Sequence, residues 1–443
     1  MIARLRTRAG ESVGAATDCL LDWLPDPAAA TVDCGNSYFQ GPQLSAVGEN
    51  LLRLGGAVYC ADRVIRRDAT QDAWRREIEL QLGVDDRDRW ESVAEPLTEA
   101  LEFLSGDGWT LAFRGSAGRI PQISDMAHEL TGYDAVCLFS GGLDSMCGAI
   151  RLLEEEKRVA LVGHFENGLA PRRQKRLARR IREAYGEDRA GLFQLRLGPA
   201  AQSSHQALPL PPGPQRESSF RARSMLFISA GMAFANALGP DVPLHVPENG
   251  FIGINVPLRP TRAGSLSTRT THPWFIGRLG EALTGLGIAN EIRNPFSLST
   301  KGEVLAASAD GLVAELLPVS LSCAHPESLY RFGFSPQHCG YCFPCLIRQA
   351  SIHSAAIEDD TEYAFDVLNS PDFLDVGKGR AADLLAVLSA LRRPVGRFDV
   401  LRNGPVSSGE VQGFDEVYRR GRDELRSWIT ARGSDQVRGE INE

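Results

Sequence analysis

The sequence predicts an α/β protein built on a doubly wound parallel sheet of five strands. From residue 134 onward, apolar strand-like runs alternate with helical stretches, as in the strand predicted over residues 159–165 and the helix over 171–185. The first strand, residues 134–139, leads directly into a glycine turn at 140–145. Continuous apolar strands separated by helices are typical of parallel sheets that are covered on both faces.

Further strands and helices follow the same alternation. The three later strands of the sheet are predicted at residues 192–197, 243–247 and 288–294. The N-terminal part has strand-like runs at 56–61 and 109–113 around a helical stretch at 92–104, which predicts an α+β extension. An apolar stretch at 381–391 and a polar amphipathic stretch at 414–430 predict a helical C-terminal cap. We therefore predict three regions, at 1–130, 131–355 and 356–443.

Composition excludes several classes of protein. The chain has 443 residues, of which 43% are hydrophobic and 23% charged, as in globular proteins. The net charge of -8 argues against a protein whose main function is nonspecific binding of nucleic acid. No apolar run approaches the ~18 residues of a membrane span, and no signal peptide is recognisable. We expect a cytoplasmic protein.

The glycine turn is a candidate phosphate site. Its residues are Ser140, Gly141, Gly142, Leu143, Asp144 and Ser145. A glycine turn between a strand and a helix exposes backbone amides that bind anions, and the serine hydroxyls can add donors. Asp144 would repel a bare phosphate, so its place in the turn implies a Mg²⁺ ion between them. The alternative is an ordinary strand-to-helix turn.

Other candidate ligands of this site are spread along the chain. Glu248 and Asn249 follow the fourth strand, at the sheet edge where ligands bind in open α/β folds. Arg221 lies near the start of a long helix, where a cation is unfavourable to the helix dipole unless an anion faces it, and the alternative is an arginine that extends along apolar surface to solvent. Lys301 opens a later helix, and it has the alternative of being a plain surface charge.

Four of the nine cysteines form a cluster. Cys323 is followed by fifteen residues and then by the closely spaced cysteines Cys339, Cys342 and Cys345. Four thiolates with this spacing fit a structural tetrahedral Zn²⁺ site. An iron–sulfur cluster is the rival, and His325 or His338 could replace one thiol. The remaining five, at positions 19, 34, 60, 137 and 147, are interpreted as buried, inert thiols.

The motifs together resemble the QueC-like family of PP-loop ATP pyrophosphatases, the 7-cyano-7-deazaguanine synthases. The resemblance covers roughly residues 134–355. It depends on the turn at 140–145, on Asn294-Pro-Phe with Thr300-Lys-Gly-Glu303, and on Ser322-Cys323 with the cysteines at 339–345 and Leu346-Ile-Arg348. The glycine turn alone is shared by many ATP pyrophosphatases, whereas its combination with the cysteines is specific.

This resemblance implies an adenine nucleotide alpha hydrolase-like fold and an ATP-dependent C–N ligase. In that family, ATP adenylates 7-carboxy-7-deazaguanine, pyrophosphate leaves, and a nitrogen nucleophile then displaces AMP. The turn would bind the pyrophosphate moiety of ATP, and Asp144 would bind Mg²⁺. The four cysteines would bind Zn²⁺. Asp144, Ser145 and Lys301 are the candidate catalytic residues, and Arg221 is a further candidate for neutralising phosphate charge.

Departures from the family pattern leave several functions open. The usual Arg-Asn pair at the start of the long helix is replaced by Arg221-Ala-Arg223, and both chain ends are additional. These differences resemble the longer QatC-type proteins of Qat antiphage-defence systems, in which the deazaguanine would be joined to an operon-encoded partner protein. The alternatives are housekeeping queuosine biosynthesis, a PP-loop tRNA modifier using the basic helix at 172–182, and a non-enzymatic, zinc-stabilised nucleotide-binding scaffold.

Overall fold

The computed structural model describes most of the chain. The described residues are 1–7, 11, 14, 17–23, 32–33, 43–70, 72–115, 132–166, 168–200, 208, 210–257, 269–308, 311–326, 328–335, 337–375 and 379–442. The predicted boundary near residue 130 falls in 116–131, outside the described residues, and so does Cys34. Within the described residues, no helix is both long and apolar enough to cross a membrane.

The N-terminal region is a parallel α/β unit. Its elements, in chain order, are β1 (Ile2–Arg6), β2 (Cys19–Asp22), β3 (Val32–Asp33), α1 (Ala46–Val64), β4 (Glu77–Val84), α2 (Arg87–Ser92), α3 (Ala94–Ser105) and β5 (Gly108–Gly115). Four strands form a sheet in the order β2-β1-β4-β5, and every neighbouring pair is parallel. We predicted an α+β arrangement here, and the strand directions instead make it a second parallel sheet.

The strand predicted at residues 56–61 is wrong, because these residues lie inside helix α1. The helix is buried on nearly all sides, so its apolar residues show no helical period and resemble a buried strand. Gly55 explains the close packing of α1. A Cβ atom on Gly55 would lie 2.7 Å from the Cβ of Ser229 and 3.0 Å from the Cα of Leu226.

The central region is the doubly wound parallel sheet predicted from the sequence. Its elements are β6 (Ala135–Leu138), α4 (Leu143–Glu154), β7 (Val159–Phe165), α5 (Ala170–Tyr185), β8 (Ala190–Arg196), β9 (Gly198–Pro199), α6 (Arg223–Leu238), β10 (Leu244–His245), α7 (Gly250–Gly253), α8 (Pro273–Gly285), β11 (Ile292–Arg293), α9 (Lys301–Ala307) and α10 (Gly311–Leu316). The five-stranded sheet has the order β11-β10-β6-β7-β8, and all its neighbouring strands are parallel. Strand β9 pairs instead with β3, antiparallel.

Alternating residues of the central strands pack on opposite faces of the sheet. Val136, Ala160 and Val162 join the core that contains α6, and this same core continues through α1 into the N-terminal sheet. Cys137 and Leu161 face the other way, into the core beneath α4 and α5. Both faces of the sheet are therefore covered by helices, which explains the continuous apolar strands.

The C-terminal region is helical, as predicted. After α11 (Phe343–Ser354), which ends the central region, it consists of α12 (Ala382–Arg392), α13 (Arg397–Leu401), α14 (Val411–Arg432) and α15 (Asp435–Asn442). Helix α14 is joined to the central region through Glu424, whose carboxylate accepts hydrogen bonds from Thr300 Oγ1, the Gly302 amide (3.3 Å) and Ser351 Oγ (3.2 Å). The cap thereby secures the start of α9, which carries Lys301.

Candidate functional site

The glycine turn lies where the strand order of the central sheet reverses. Strand β6 is flanked by β10 and β7, so the crossovers from β6 leave the sheet in opposite directions and open a crevice at its carboxyl edge. Gly141 has φ +86°, a conformation that glycine adopts without strain, and Gly142 precedes the first turn of α4. The turn is therefore placed where α/β sheets bind ligands.

The serine hydroxyls define the shape of the turn. Ser140 Oγ accepts a hydrogen bond from the Gly142 amide at 3.2 Å and lies 3.1 Å from Ser145 Oγ. Ser145 Oγ donates to the Gly142 carbonyl at 3.0 Å. Both hydroxyls thus lie beside the N-terminus of α4, where the helix dipole favours an anion.

Asp144 is held by two residues predicted for the same site. Its Oδ2 accepts hydrogen bonds from the Asn249 amide (3.2 Å) and from Asn249 Nδ2 (2.7 Å). Its Oδ1 lies 2.9 Å from Lys301 Nζ, and both side chains are nearly buried, with 12% and 11% exposed. The structure therefore brings together Asp144, Asn249 and Lys301 from three separate segments, and Lys301 is not a surface charge.

Glu248 adds a second carboxyl group to this cluster. Burial, together with the negative charge of Asp144, raises the pKa of Glu248 to about 7, although a hydrogen bond from Thr271 opposes the shift. Thr271 Oγ1 donates that bond to Oε2 at 2.5 Å. The main chain of Glu248 is fixed by Asn294, whose side chain bonds to its amide and carbonyl.

Two cavities adjoin the glycine turn and share Ser140. The first, of about 350 Å³, lies at the ends of β6 and β7 and beside α6, with Phe139, His164, Glu166 and Arg223 among its lining residues. The second, of about 250 Å³, contains the cluster of Asp144, Ser145, Glu248 and Lys301. A ligand that spans the turn would therefore reach an aromatic cavity on one side and a charged cavity on the other.

Arg221 is not brought to the turn. Its guanidinium lies 4.2 Å from the centre of the Trp74 ring, and its Nη1 donates to the Ser105 carbonyl at 3.1 Å. Arg223, the first residue of α6, lines the first cavity instead. The sequence places two arginines within three residues, and only the packing shows which of them reaches the cavity.

The four clustered cysteines fit a tetrahedral metal. Their sulfur atoms all lie within 4.8 Å of one another, and the pairs Cys323–Cys342 and Cys339–Cys345 are 3.9 Å apart. Sulfurs at about 2.3 Å from a tetrahedral zinc would be separated by roughly 3.8 Å. The amides of Ala324 and Cys342 donate to cysteine sulfurs, at 3.4 and 3.3 Å. The four thiols could therefore hold a Zn²⁺ ion.

Neither histidine considered as a substitute belongs to the sulfur cluster. His338 is buried, and its Nε2 accepts a hydrogen bond from the Ser322 amide at 3.2 Å. The described residues that could together hold a metal here are the four cysteines, without His325. Of the scattered cysteines, the four that are described, Cys19, Cys60, Cys137 and Cys147, are buried as predicted.

The cysteine cluster is connected to the glycine turn. The Leu321 amide donates to the Gly141 carbonyl at 2.8 Å, two residues before Cys323. Arg348, which follows the last cysteine in α11, is fully buried and donates to Ser320 Oγ at 2.8 Å. Ser322, between these points, lines the second cavity, and its Oγ has no hydrogen-bond partner among the described residues.

Comparison with known proteins finds a distant relative. No protein-family model matches the chain. A segment of 254 residues is 24% identical to the 7-cyano-7-deazaguanine synthase of Saccharolobus solfataricus and covers 52% of this chain. The match includes 47% of that protein, so the chain spans about half the length of the curated relative it matches. This likeness supports a relationship to the QueC-like synthases at most.

Sequence reasoning missed the residues that line the first cavity. Tyr59 is buried in α1 and donates to Glu166 Oε1 at 2.7 Å, while Arg63 Nη1 lies 3.6 Å from Glu166 Oε2. His164 Nε2 lies 2.6 Å from the Leu197 carbonyl, and burial lowers the pKa of His164 to about 4. No spacing pattern links Tyr59 with Glu166, because they are 107 residues apart and meet only through packing of α1 on α6.

Proposed function

We propose that this protein uses ATP to activate a carboxylate of the 7-carboxy-7-deazaguanine type and passes it to a nitrogen nucleophile. A carboxylate oxygen would attack the α-phosphorus of ATP, the bond from that phosphorus to the bridging oxygen of pyrophosphate would break, and an acyl adenylate would form. The nucleophile would then displace AMP. The observation that carries this proposal is the glycine turn lying between an aromatic cavity and a charged one.

The two cavities support different parts of this reaction. The first has aromatic walls suited to a nucleoside, whereas the second holds Lys301, a cation that can attract a carboxylate. Phosphates on the turn would lie between them, beside the amides at the start of α4 and the hydroxyls of Ser140 and Ser145. The α-phosphorus and the attacking carboxylate would thus meet at the turn, with Arg223 available to neutralise phosphate charge.

Asp144 is the residue that would hold a Mg²⁺ ion in this site, with Glu248 as a neighbouring carboxyl group. The ion, when bound, would supply positive charge that offsets the phosphate oxygens. The protein's own contribution is to fix Asp144 through Asn249 and Lys301, so that its carboxylate is positioned before the nucleotide arrives.

The nitrogen nucleophile is the part of the proposal that departs from a housekeeping synthase. We rank an amine of a partner protein, as in QatC-type antiphage defence, above ammonia for queuosine biosynthesis. This ranking is supported by the N-terminal sheet and the C-terminal helices, which add to the central sheet. Mass spectrometry of a co-expressed neighbouring gene product would distinguish the two, since ammonia would leave that product unmodified.

Two other functions have less support. The basic helix α5 would favour a tRNA-modifying enzyme, but Arg179, Arg180 and Arg182 are paired with nearby glutamates. A pure nucleotide-binding scaffold would not require Asp144 and Lys301 to be held beside the turn. Binding of tRNA that weakens with salt would revive the first alternative.

The deciding experiment measures AMP. The purified protein is incubated with ATP, Mg²⁺ and 7-carboxy-7-deazaguanine, with ammonium as the nucleophile, and AMP is quantified by chromatography. We expect AMP release that depends on the carboxylate. Arg223→Ala should reduce it about 100-fold, by analogy with loss of a charge-stabilising donor, whereas the matched variant Arg221→Ala should keep most activity. Absence of carboxylate-dependent AMP would reject the proposal.

A further inference from the structure

A carboxylate contributed by the central sheet faces the first cavity and is held there by the N-terminal region. Glu166 directly follows β7, at the same carboxyl edge of the sheet as the glycine turn. Its side chain is 28% exposed, so it is neither buried in the core nor free in solvent. A Cβ atom on Gly198 would lie 2.7 Å from Glu166 Oε1, which shows that glycine at this position leaves room for the carboxylate.

Helix α1 orients this carboxylate with two side chains. Tyr59 donates to Oε1, and Arg63 lies against Oε2. The pKa of Tyr59 is raised, first by burial and then by the negative charge of Glu166, so its hydroxyl keeps the proton that it donates. A carboxylate offers about four acceptor positions. With one contact on each oxygen, Glu166 retains the capacity to accept from a ligand.

The N-terminal region also holds a second segment that lines the cavity. Phe220 lines the cavity and belongs to the segment that enters α6. This segment is tied to the end of α1, because the Arg67 amide donates to Glu217 Oε2 at 3.0 Å and the Ala222 amide donates to Asp62 Oδ2 at 3.0 Å. The additional sheet thus holds two sides of the cavity in place.

The neighbouring His164, like Glu166, offers a hydrogen-bond acceptor. With Nε2 beside the Leu197 carbonyl, the neutral ring of His164 carries its proton on Nε2, and Nδ1 is left as an acceptor. His164 and Glu166, at the end of β7, therefore offer hydrogen-bond acceptors that suit a ligand with hydrogen-bond donors. The nucleoside part of ATP has such donors in its ribose hydroxyls and in its 6-amino group.

We propose that Glu166, positioned by Tyr59 and Arg63 of the N-terminal region, is a specificity-determining residue that accepts a hydrogen bond from a donor group of the bound nucleoside. This inference rests on the proposed use of ATP and adds a role for the N-terminal region. Glu166 selects the nucleotide, and Tyr59 is a positioning residue that acts through it.

The test compares the affinities of nucleotides that each lack one donor. Dissociation constants for ATP, 2′-deoxy-ATP, 3′-deoxy-ATP and purine riboside triphosphate are measured by calorimetry on the full-length protein. A hydrogen bond to a charged acceptor predicts that one of the three analogues binds about 10- to 100-fold more weakly than ATP. The affected analogue identifies the donor as the 2′-hydroxyl, the 3′-hydroxyl or the 6-amino group.

Two variants and a matched pair then assign the effect to Glu166. Glu166→Gln should reduce discrimination against that analogue, because a neutral amide oxygen is a weaker acceptor than a carboxylate, and Tyr59→Phe should weaken it about fivefold. The control variants are Glu154→Gln and Tyr185→Phe, because this second Tyr–Glu pair, 3.3 Å apart, joins the far ends of α4 and α5. The controls should discriminate like the wild type.

The outcomes separate this inference from the proposed function. If the protein binds ATP but binds all three analogues equally well, the role of Glu166 is refuted and ATP use remains. Discrimination that is undiminished in a folded Glu166→Gln variant also refutes it. A wild-type protein that binds no nucleotide would overturn both the inference and the proposed function.

Discussion

The ion pair between Asp144 and Lys301 allows a quantitative prediction for Asp144→Asn. Unit charges 2.9 Å apart attract by roughly 6 kcal/mol at an effective dielectric constant near 20, and desolvation offsets most of this. Loss of one partner of a buried pair costs about 3–5 kcal/mol. Asparagine preserves the shape, and Lys301 can reach the solvent of the second cavity, so we expect the variant to lose about 2–3 kcal/mol of unfolding free energy.

The effect on activity should exceed the effect on stability. The asparagine side chain is neutral and cannot provide the carboxylate proposed to hold Mg²⁺, so carboxylate-dependent AMP release should fall at least ~100-fold. Urea unfolding measures the first quantity and AMP chromatography the second. Asp134→Asn is the matched control, because Asp134 directly precedes the start of β6, whereas the turn follows its end, and Asp134 accepts a hydrogen bond from the Arg158 amide at 2.8 Å. A folded Asp144→Asn variant with wild-type AMP release would refute this reasoning.

Three further predictions concern the surroundings of the turn. The fold raises the pKa of Glu248 from 4.5 to about 7, so the free energy of unfolding should fall as pH rises through this interval. Glu248→Gln should therefore raise the free energy of unfolding by about 1–3 kcal/mol above pH 7 and leave it unchanged below pH 4.5, as measured by urea titration. Cys342→Ser should lose bound zinc, measured by elemental analysis, and become less soluble. Gly148→Ala should destabilise the fold by about 1–2 kcal/mol, because the new Cβ would lie 2.3 Å from Pro247 Cγ.

Each of these predictions has a contrary result. If the free energy of unfolding depended on pH in the same way for wild type and Glu248→Gln, the fold would not raise the pKa of this carboxyl group. Cys147→Ala, which removes a buried thiol outside the cluster, should retain one zinc per chain. If Cys342→Ser kept its zinc and solubility but lost activity, the structural interpretation of the cluster would be wrong. An unchanged unfolding midpoint for Gly148→Ala would mean that Pro247 moves without cost.

The sequence was most informative where local pattern and tertiary structure agree. The strand at residues 159–165 has the predicted bounds, because a buried parallel strand is apolar on both faces and its neighbours are helical. The glycine turn and the cysteine cluster were recognisable because their spacing is local. The contacts of Lys301 and Asn249 with Asp144 were harder to predict, because they depend on the ends of separate strands meeting at one sheet edge.

The failures have a common physical origin. Helix α1 was interpreted as containing a strand because burial on all sides removes helical periodicity. Arg221 was favoured over Arg223, yet which of the two faces the cavity is set by the packing of α6. Glu166 and Tyr59 carried no motif at all, because their meeting depends on contact between the N-terminal region and the central sheet.

The hydrogen bond from the Leu321 amide to the Gly141 carbonyl joins the segment that leads to Cys323 to the glycine turn. If metal binding at Cys323 stiffens the segment that supports the glycine turn, nucleotide affinity must depend on metal occupancy. Linkage is reciprocal, so a bound nucleotide must strengthen metal retention by the same factor. A chelator would then remove zinc less completely at equilibrium from the nucleotide-bound protein than from the free protein.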